Sequence, residues 1–121
     1  MNILLTGGTG FIGNRILKKI SHKKNRVLVI TRKKIKKKKN IEYYQTDFFK
    51  PKNYISKLKI FRPDIIIHCA WYGIPDLGEK NSKLNLKYSK KFFNNVLKID
   101  SVKQILICGS CFEIKYKIKE K

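Results

Sequence analysis

Apolar positions along the 121-residue chain alternate between two textures. Short unbroken runs, Asn2–Thr6, "RVLVIT" at Arg26–Thr31 and "IIIHCA" at Ile65–Ala70, predict strands buried on both faces. Ile41–Tyr44 is a weaker strand candidate, and "QILIC" at Gln104–Cys108 supplies a fifth. Between these runs the apolar spacing shifts to three and four, which predicts helices. The first covers Phe11–Ser21 with Ile12, Ile16, Leu17 and Ile20 on one face. The second follows Pro51 in "NYISKLKIF", with Ile55, Leu58 and Phe61 at helical spacing, and Asn81–Ile99 forms a long third helix striped by Leu84, Tyr88, Phe92, Val96 and Ile99. Arg62-Pro63-Asp64 stops the second helix, because a residue before proline is pushed out of the helical region. No internal repeat is visible.

Strands apolar on both faces, alternating with helices, call for an α/β architecture: a doubly wound parallel sheet of about five strands in three layers. Ligands in such sheets sit at the carboxyl ends of the strands, near the point where strand order reverses. Four chemically rich stretches fall at those ends. They are the glycines after the first strand, Thr31-Arg32 after the second, His68 to Trp71 after the fourth, and Gly109-Ser110 after the fifth.

Length and composition narrow the picture. A chain of this size is one domain, burying roughly 65% of the surface its unfolded form exposes. Hydrophobic content of 42% and aromatic content of 12% exclude a wholly disordered chain. No apolar run approaches the roughly 20 residues of a membrane helix, and Met1-Asn2-Ile3 lacks the basic start of a signal peptide, so no membrane role and a cytoplasmic location are expected.

The net charge of +21 comes from lysine, since only Arg15, Arg26, Arg32 and Arg62 are arginines. Such a charge attracts any polyanion. The lysines read as spread along the chain, however, and no helix-turn-helix, zinc-finger or RNA-recognition signature accompanies them. Non-catalytic binding of nucleic acid or another polyanion is therefore the alternative reading and not the first one. "KKIKKKK" at Lys33–Lys39 carries like charges that repel, which predicts a solvated loop.

Cys69, Cys108 and Cys111 are odd in number, and Cys108-Gly-Ser-Cys111 has redox and zinc spacing. A zinc site wants four ligands, and only Cys69, His68 and the distant His22 could complete one. Reduced, structural thiols and no metal are expected.

"LLTGGTGFIGNRI" puts Gly7, Gly8, Gly10 and Gly13 directly after a strand and directly before an amphipathic helix. Glycines there remove the β-carbons that would block a pyrophosphate, and the helix start supplies free N–H groups and a positive dipole end. Gly13 falls where helix and strand pack closely, while Thr6 and Thr9 can tie the turn by hydrogen bonds.

The segment Thr6-Gly-Gly-Thr-Gly-Phe-Ile-Gly13 resembles the nucleotide fingerprint of the extended short-chain dehydrogenase/reductases, the NAD-dependent epimerase/dehydratase family that acts on sugar nucleotides. The resemblance implies a Rossmann-like domain over residues 1–113, followed by a charged tail at 114–121. It also implies that Gly7, Thr9, Gly10, Phe11, Ile12 and Gly13 bind a dinucleotide cofactor. "TDFF" is similar to the family's Asp-Leu element, implying that Asp47 caps the adenine amino group with Phe48 in place of leucine. By the bare sequence Asp47 can equally cap the turn leading to Pro51, and His68 can be a satisfied strand-end histidine. "IIIHCAW" resembles the segment lining the nicotinamide side, which covers His68, Cys69, Ala70 and Trp71. "NLKYSKKFF" resembles the long helix that opens with an asparagine, here Asn85, and "ILICGSCFE" looks like the strand end where the family keeps its catalytic serine, which matches Ser110.

Two features bear on chemistry. An acidic residue after the second strand binds the ribose 2′-hydroxyl of NAD, whereas a basic one accommodates the NADP phosphate. The position reads Thr31-Arg32-Lys33, with no acid, and Arg32 can fork onto a phosphate, which favours NADP. The family's chemistry also uses a Tyr-x-x-x-Lys pair downstream of the serine, the lysine charge lowering the tyrosine pKa. Tyr116 lies only six residues beyond Ser110, and four positions further stands Glu120, whose charge acts the wrong way. The expectation is an amino-terminal portion of a sugar-nucleotide epimerase, dehydratase or 4-ketoreductase, with Ser110 lacking its catalytic partners. Such a portion would be inactive alone, as a truncated product or as one half of a split enzyme paired with a complementing chain or a second copy.

Overall fold

The structure, a computed structural model, describes residues 1–22, 24–76 and 78–109. The strands are β1 (Asn2–Thr6), β2 (Arg26–Thr31), β3 (Ile41–Gln45), β4 (Ile65–His68) and β5 (Gln104–Ile107). The helices are α1 (Phe11–Ile20), α2 (Ile55–Phe61) and α3 (Glu79–Val96), and a 3-10 turn covers Pro51–Asn53. All pairings are parallel, in the order β3-β2-β1-β4-β5. From β1 the chain winds outward through β2 to β3, then crosses back to the other side of β1 as β4. This is the Rossmann-like, three-layer doubly wound sheet that the alternating pattern predicts, with its switch point between β1 and β4.

Successive residues of the strands feed opposite faces. Leu5, Val27, Val29 and Ile41 pack beneath Leu17 of α1. Leu4, Leu28, Ile30 and Ile66 pack against Leu58 and Phe61 of α2 and Phe92 and Val96 of α3. Each of these large side chains contributes roughly 1.5–3 kcal/mol by leaving water, which is why the central strands tolerate no polar residue on either face. Thr6, Thr31 and His68 are the buried polar exceptions, and all three stand at strand carboxyl ends.

Several local features depart from the pattern reading. Ile12, expected on the buried face of α1, is half exposed because the first helical turn overhangs the sheet's carboxyl edge. A 3-10 turn, bonded from Tyr54 N–H to the Pro51 carbonyl at 3.1 Å, precedes α2 and drives Tyr54 fully into the core. Burial, with the Asp47 charge second, pushes the Tyr54 phenol well above its ordinary pKa. Arg62 ends α2 in the left-handed region at φ 51°, its N–H bonded back to the Leu58 carbonyl, and Pro63 follows it. Among the described residues β5 is the outermost strand beside β4, with Leu106 and Ile107 exposed, as expected of a last strand beside an incomplete sheet edge. No helix among the described residues is long and apolar enough to cross a membrane.

Candidate functional site

Above the switch point a cleft of about 470 Å³ opens between the turn after β1 and the segments following β2, β3 and β4. Its floor is the glycine turn. Gly7 takes φ 70°, and a β-carbon there would stand 2.6 Å from the Cys69 carbonyl carbon. Both facts demand glycine, because side chains are disfavoured at positive φ and the β1 and β4 backbones meet at this point. A β-carbon on Gly13 would overlap the Gly7 carbonyl oxygen, so the first turn of α1 lies directly on the loop.

The turn is closed by backbone alone, Gly10 N–H donating to the Gly7 carbonyl at 3.0 Å. Gly10 is the N-cap, and the first helical bond runs from Asn14 N–H to the Gly10 carbonyl at 2.9 Å. The N–H groups of Phe11, Ile12 and Gly13 therefore have no intrahelical acceptor, and no side chain caps them. Three convergent donors, the positive end of the helix dipole and a bare floor make an anion cradle of pyrophosphate type. The residues present fit a dinucleotide's phosphates on geometry.

Thr6 does not tie this turn as expected. Its hydroxyl accepts from Ala70 N–H at 3.3 Å and shares a hydrogen bond with His68 Nδ1 at 2.8 Å, stitching β1 to the end of β4 instead. The reason is direction: alternation points the Thr6 side chain toward the α2/α3 face, away from the loop. Thr9 lines the cleft.

Of the residues singled out in sequence, the structure brings Gly7, Thr9, Gly10, Phe11, Ile12 and Gly13 together on one wall. Arg32, Asp47, Phe48 and Ala70 line the opposing walls. Arg32 is exposed and forms no ion pair among the described residues, which leaves its guanidinium free at the end of β2. Asp47 Oδ1 accepts from Phe49 N–H at 3.0 Å, so it does cap its own turn, and the residue lines the cleft. Phe48 packs against Tyr54, His68 and Phe92 beneath the site.

His68 and Asn85 are not on the cleft wall. His68 lies behind it, ringed by Phe48, Phe92 and Phe93, with Ser89 Oγ 3.4 Å from Nε2. Burial lowers its pKa to about 4, which favours the neutral ring in its hydrogen bond with Thr6. Asn85 is buried in the second turn of α3, where Nδ2 donates to the Tyr72 carbonyl at 2.9 Å and Oδ1 accepts from Tyr72 N–H at 2.8 Å; the helix opens before it, at Glu79. Asn85 grips the loop after β4 from behind. Ser110, with Cys111, Tyr116 and Glu120, lies outside the described residues.

The cleft also draws on residues that motif reading passed over: Ile30, Thr46, Phe49, Tyr72 and Ile74. All follow or end a strand at the carboxyl edge, so the strand-end rule alone would have found them. Cys69 lines the cleft with its thiol pushed up to about 11 by burial and by Cys108 on the adjacent strand, and it stays protonated. Among the described residues no three side chains of metal-ligating type converge.

The sequence matches the model of a family described as NAD dependent epimerase/dehydratase over residues 3–113, nearly its whole length. The chain belongs to that family. No curated protein sequence matches it. Solved structures of this epimerase/dehydratase type share its fold. A UDP-glucose 4-epimerase from Thermotoga maritima with UDP-glucose superimposes with a TM-score of 0.73 at 24% identity, over 88% of this chain and 37% of that one. The Bordetella bronchiseptica enzyme WbmG in complex with NAD and UDP gives 0.72 at 18% identity, over 87% and 36%. The epimerase Mth375 of Methanothermobacter thermautotrophicus gives 0.78 at 20% identity, over 99% and 39%. The chain thus spans well under half the length of these solved relatives. At such identities the likeness speaks for the fold, while the family match and the cradle speak for an NAD-type cofactor.

Proposed function

We propose that this epimerase/dehydratase-family chain supplies the dinucleotide-holding part of a hydride-transfer site acting on sugar nucleotides, and that it prefers NADP. The observation that carries the proposal is the cradle: Gly7 and Gly13 exclude β-carbons while three free N–H groups of α1 face the cleft. When bound, the nicotinamide would accept or donate a hydride. The chain's own residues hold and orient. Phe11, Ile12 and Gly13 donate to the pyrophosphate, Arg32 pairs with a 2′-phosphate, and Asp47 accepts from the adenine amino group. Ala70 and Trp71 border the nicotinamide end, with His68 and Asn85 acting as positioning residues from behind. Ser110 would bond the reacting sugar oxygen. The sugar-nucleotide class is supported by the UDP-glucose and UDP held by related structures of similar fold.

Trp71, the single tryptophan, is half exposed at the cleft and reports occupancy directly. Titration with NADPH should quench it by energy transfer to the reduced nicotinamide, with NADH binding more weakly. Arg32→Asp should reverse the order, costing NADPH about tenfold, or ~1.4 kcal/mol. Gly10→Glu, which places a carboxylate at the phosphate position, should abolish both signals. Unquenched Trp71 fluorescence with either nucleotide would overturn the proposal.

A further inference from the structure

The cationic charge is not evenly spread, contrary to the first reading of the sequence. Residues 1–41 hold thirteen of the 29 lysine and arginine side chains and none of the eight acidic ones; the first acid is Glu42. Seven of those thirteen fall in the eight residues Arg32–Lys39.

The fold brings the cations of the segment between β2 and β3 to the side of the sheet that carries α1, whereas Arg26 turns the other way, over the Phe61 ring of α2. β2 and β3 are parallel, so the chain must travel back along the sheet between them, and Arg32–Asn40 makes that return without a helix. The strap is pinned at its far end, where Val27 N–H donates to the Asn40 carbonyl at 2.9 Å and Asn40 Nδ2 donates to the His22 carbonyl at 2.8 Å. The steps β1 to β2 and β2 to β3 run in the same direction across the sheet, so two right-handed connections fall on the same face. α1 and the strap therefore lie side by side. α1 adds exposed Arg15, Lys18 and Lys19, and no acidic side chain stands in α1, in the strap or in β2 between them. None of these cations forms an ion pair among the described residues.

We infer that this face binds the phosphate backbone of a nucleic acid, independently of base sequence and separately from the cofactor cleft. An extended run of eight residues reaches up to about 26 Å, the length of several nucleotides. A helix crossover would have wound the lysines around an axis; the strap has no helix among its residues. An anionic membrane is the poorer fit, because the strap has a single apolar side chain, Ile35, half-buried, and the apolar stripe of α1 faces the sheet.

The test is anisotropy of a fluorescein-labelled 20-nucleotide RNA, with DNA of the same sequence as a second arm, across a KCl series. Two variants of equal net charge are compared, both checked for folding by circular dichroism. One changes Lys33, Lys34, Lys36, Lys37, Lys38 and Lys39 to Gln. The other changes six exposed lysines elsewhere, Lys59, Lys80, Lys87, Lys90, Lys91 and Lys98. The strap variant should lose affinity at least about tenfold, and the slope of log K against log salt should flatten by about 2–4. The control should change less than about threefold. Equal losses in both variants would show that net charge alone attracts the polyanion, and would overturn the proposal. So would a parent chain that fails to bind at 100 mM KCl, or one that binds phosphatidylserine vesicles more tightly than RNA or DNA.

Discussion

Gly13 shows how little freedom the cleft floor has. A methyl group at that position meets the Gly7 carbonyl oxygen, backbone that cannot yield without shifting the whole turn. Gly13→Ala is expected to cost about 1–3 kcal/mol of stability, measured by urea denaturation, and to weaken NADPH binding further than that loss explains. A variant with parental stability would mean that the helix does not rest on the loop. His68 gives a second residue-scale expectation. Its pKa of about 4 in the folded chain lies below the unfolded value near 6.5, so the unfolded state takes up a proton first on acidification. The contribution is complete above pH 6.5 and is lost as pH falls toward 4, amounting to about 3 kcal/mol. Thermal melts over that window should slope downward, and His68→Gln should flatten the slope. A histidine that stayed neutral in both states would leave the parent flat. The glycines were legible because spacing and position constrain them together. Strand alternation turns His68 toward Phe92 and Phe93, behind the cleft, in keeping with the satisfied strand-end histidine that the sequence also allowed.

At the scale of elements, β1, β2, β4 and the buried stripe of α3 could be read because continuous apolar runs and helical spacing survive tertiary context. The 3-10 turn at Pro51–Asn53 and the full burial of Tyr54 could not, since a tyrosine between a polar turn and a short helix has no periodic signature. The loop after β4 is the element on which the site depends most. Asn85 holds it through both backbone groups of Tyr72, and Asn81 Nδ2 donates to the Asp76 carbonyl at 3.1 Å. Asn85→Ala should cost about 1–3 kcal/mol by leaving Tyr72 unpaired. Hydrogen exchange should quicken at residues 72–76 while the second half of α3 keeps its protection. Uniform acceleration along α3 would indicate that Asn85 supports the helix and not the loop.

The whole molecule divides its charge and its chemistry between two surfaces. Its carboxyl edge carries an anion cradle closed by backbone, where a dipole and three N–H groups act at short range. The α1 side carries a dense run of lysines, where attraction is long-ranged and weakens with salt. Both attract phosphate, so affinity for a nucleotide does not by itself identify the cleft. Amide resonances do. In nitrogen–proton correlation spectra of the full chain at 150 mM salt, NADPH should shift Gly10, Phe11, Ile12 and Gly13 most, followed by Arg32, Asp47 and Ala70. Lys36–Lys39 should stay near their free positions. Shifts confined to the lysine strap, with the glycine turn unmoved, would contradict the assignment of the cleft as a dinucleotide site.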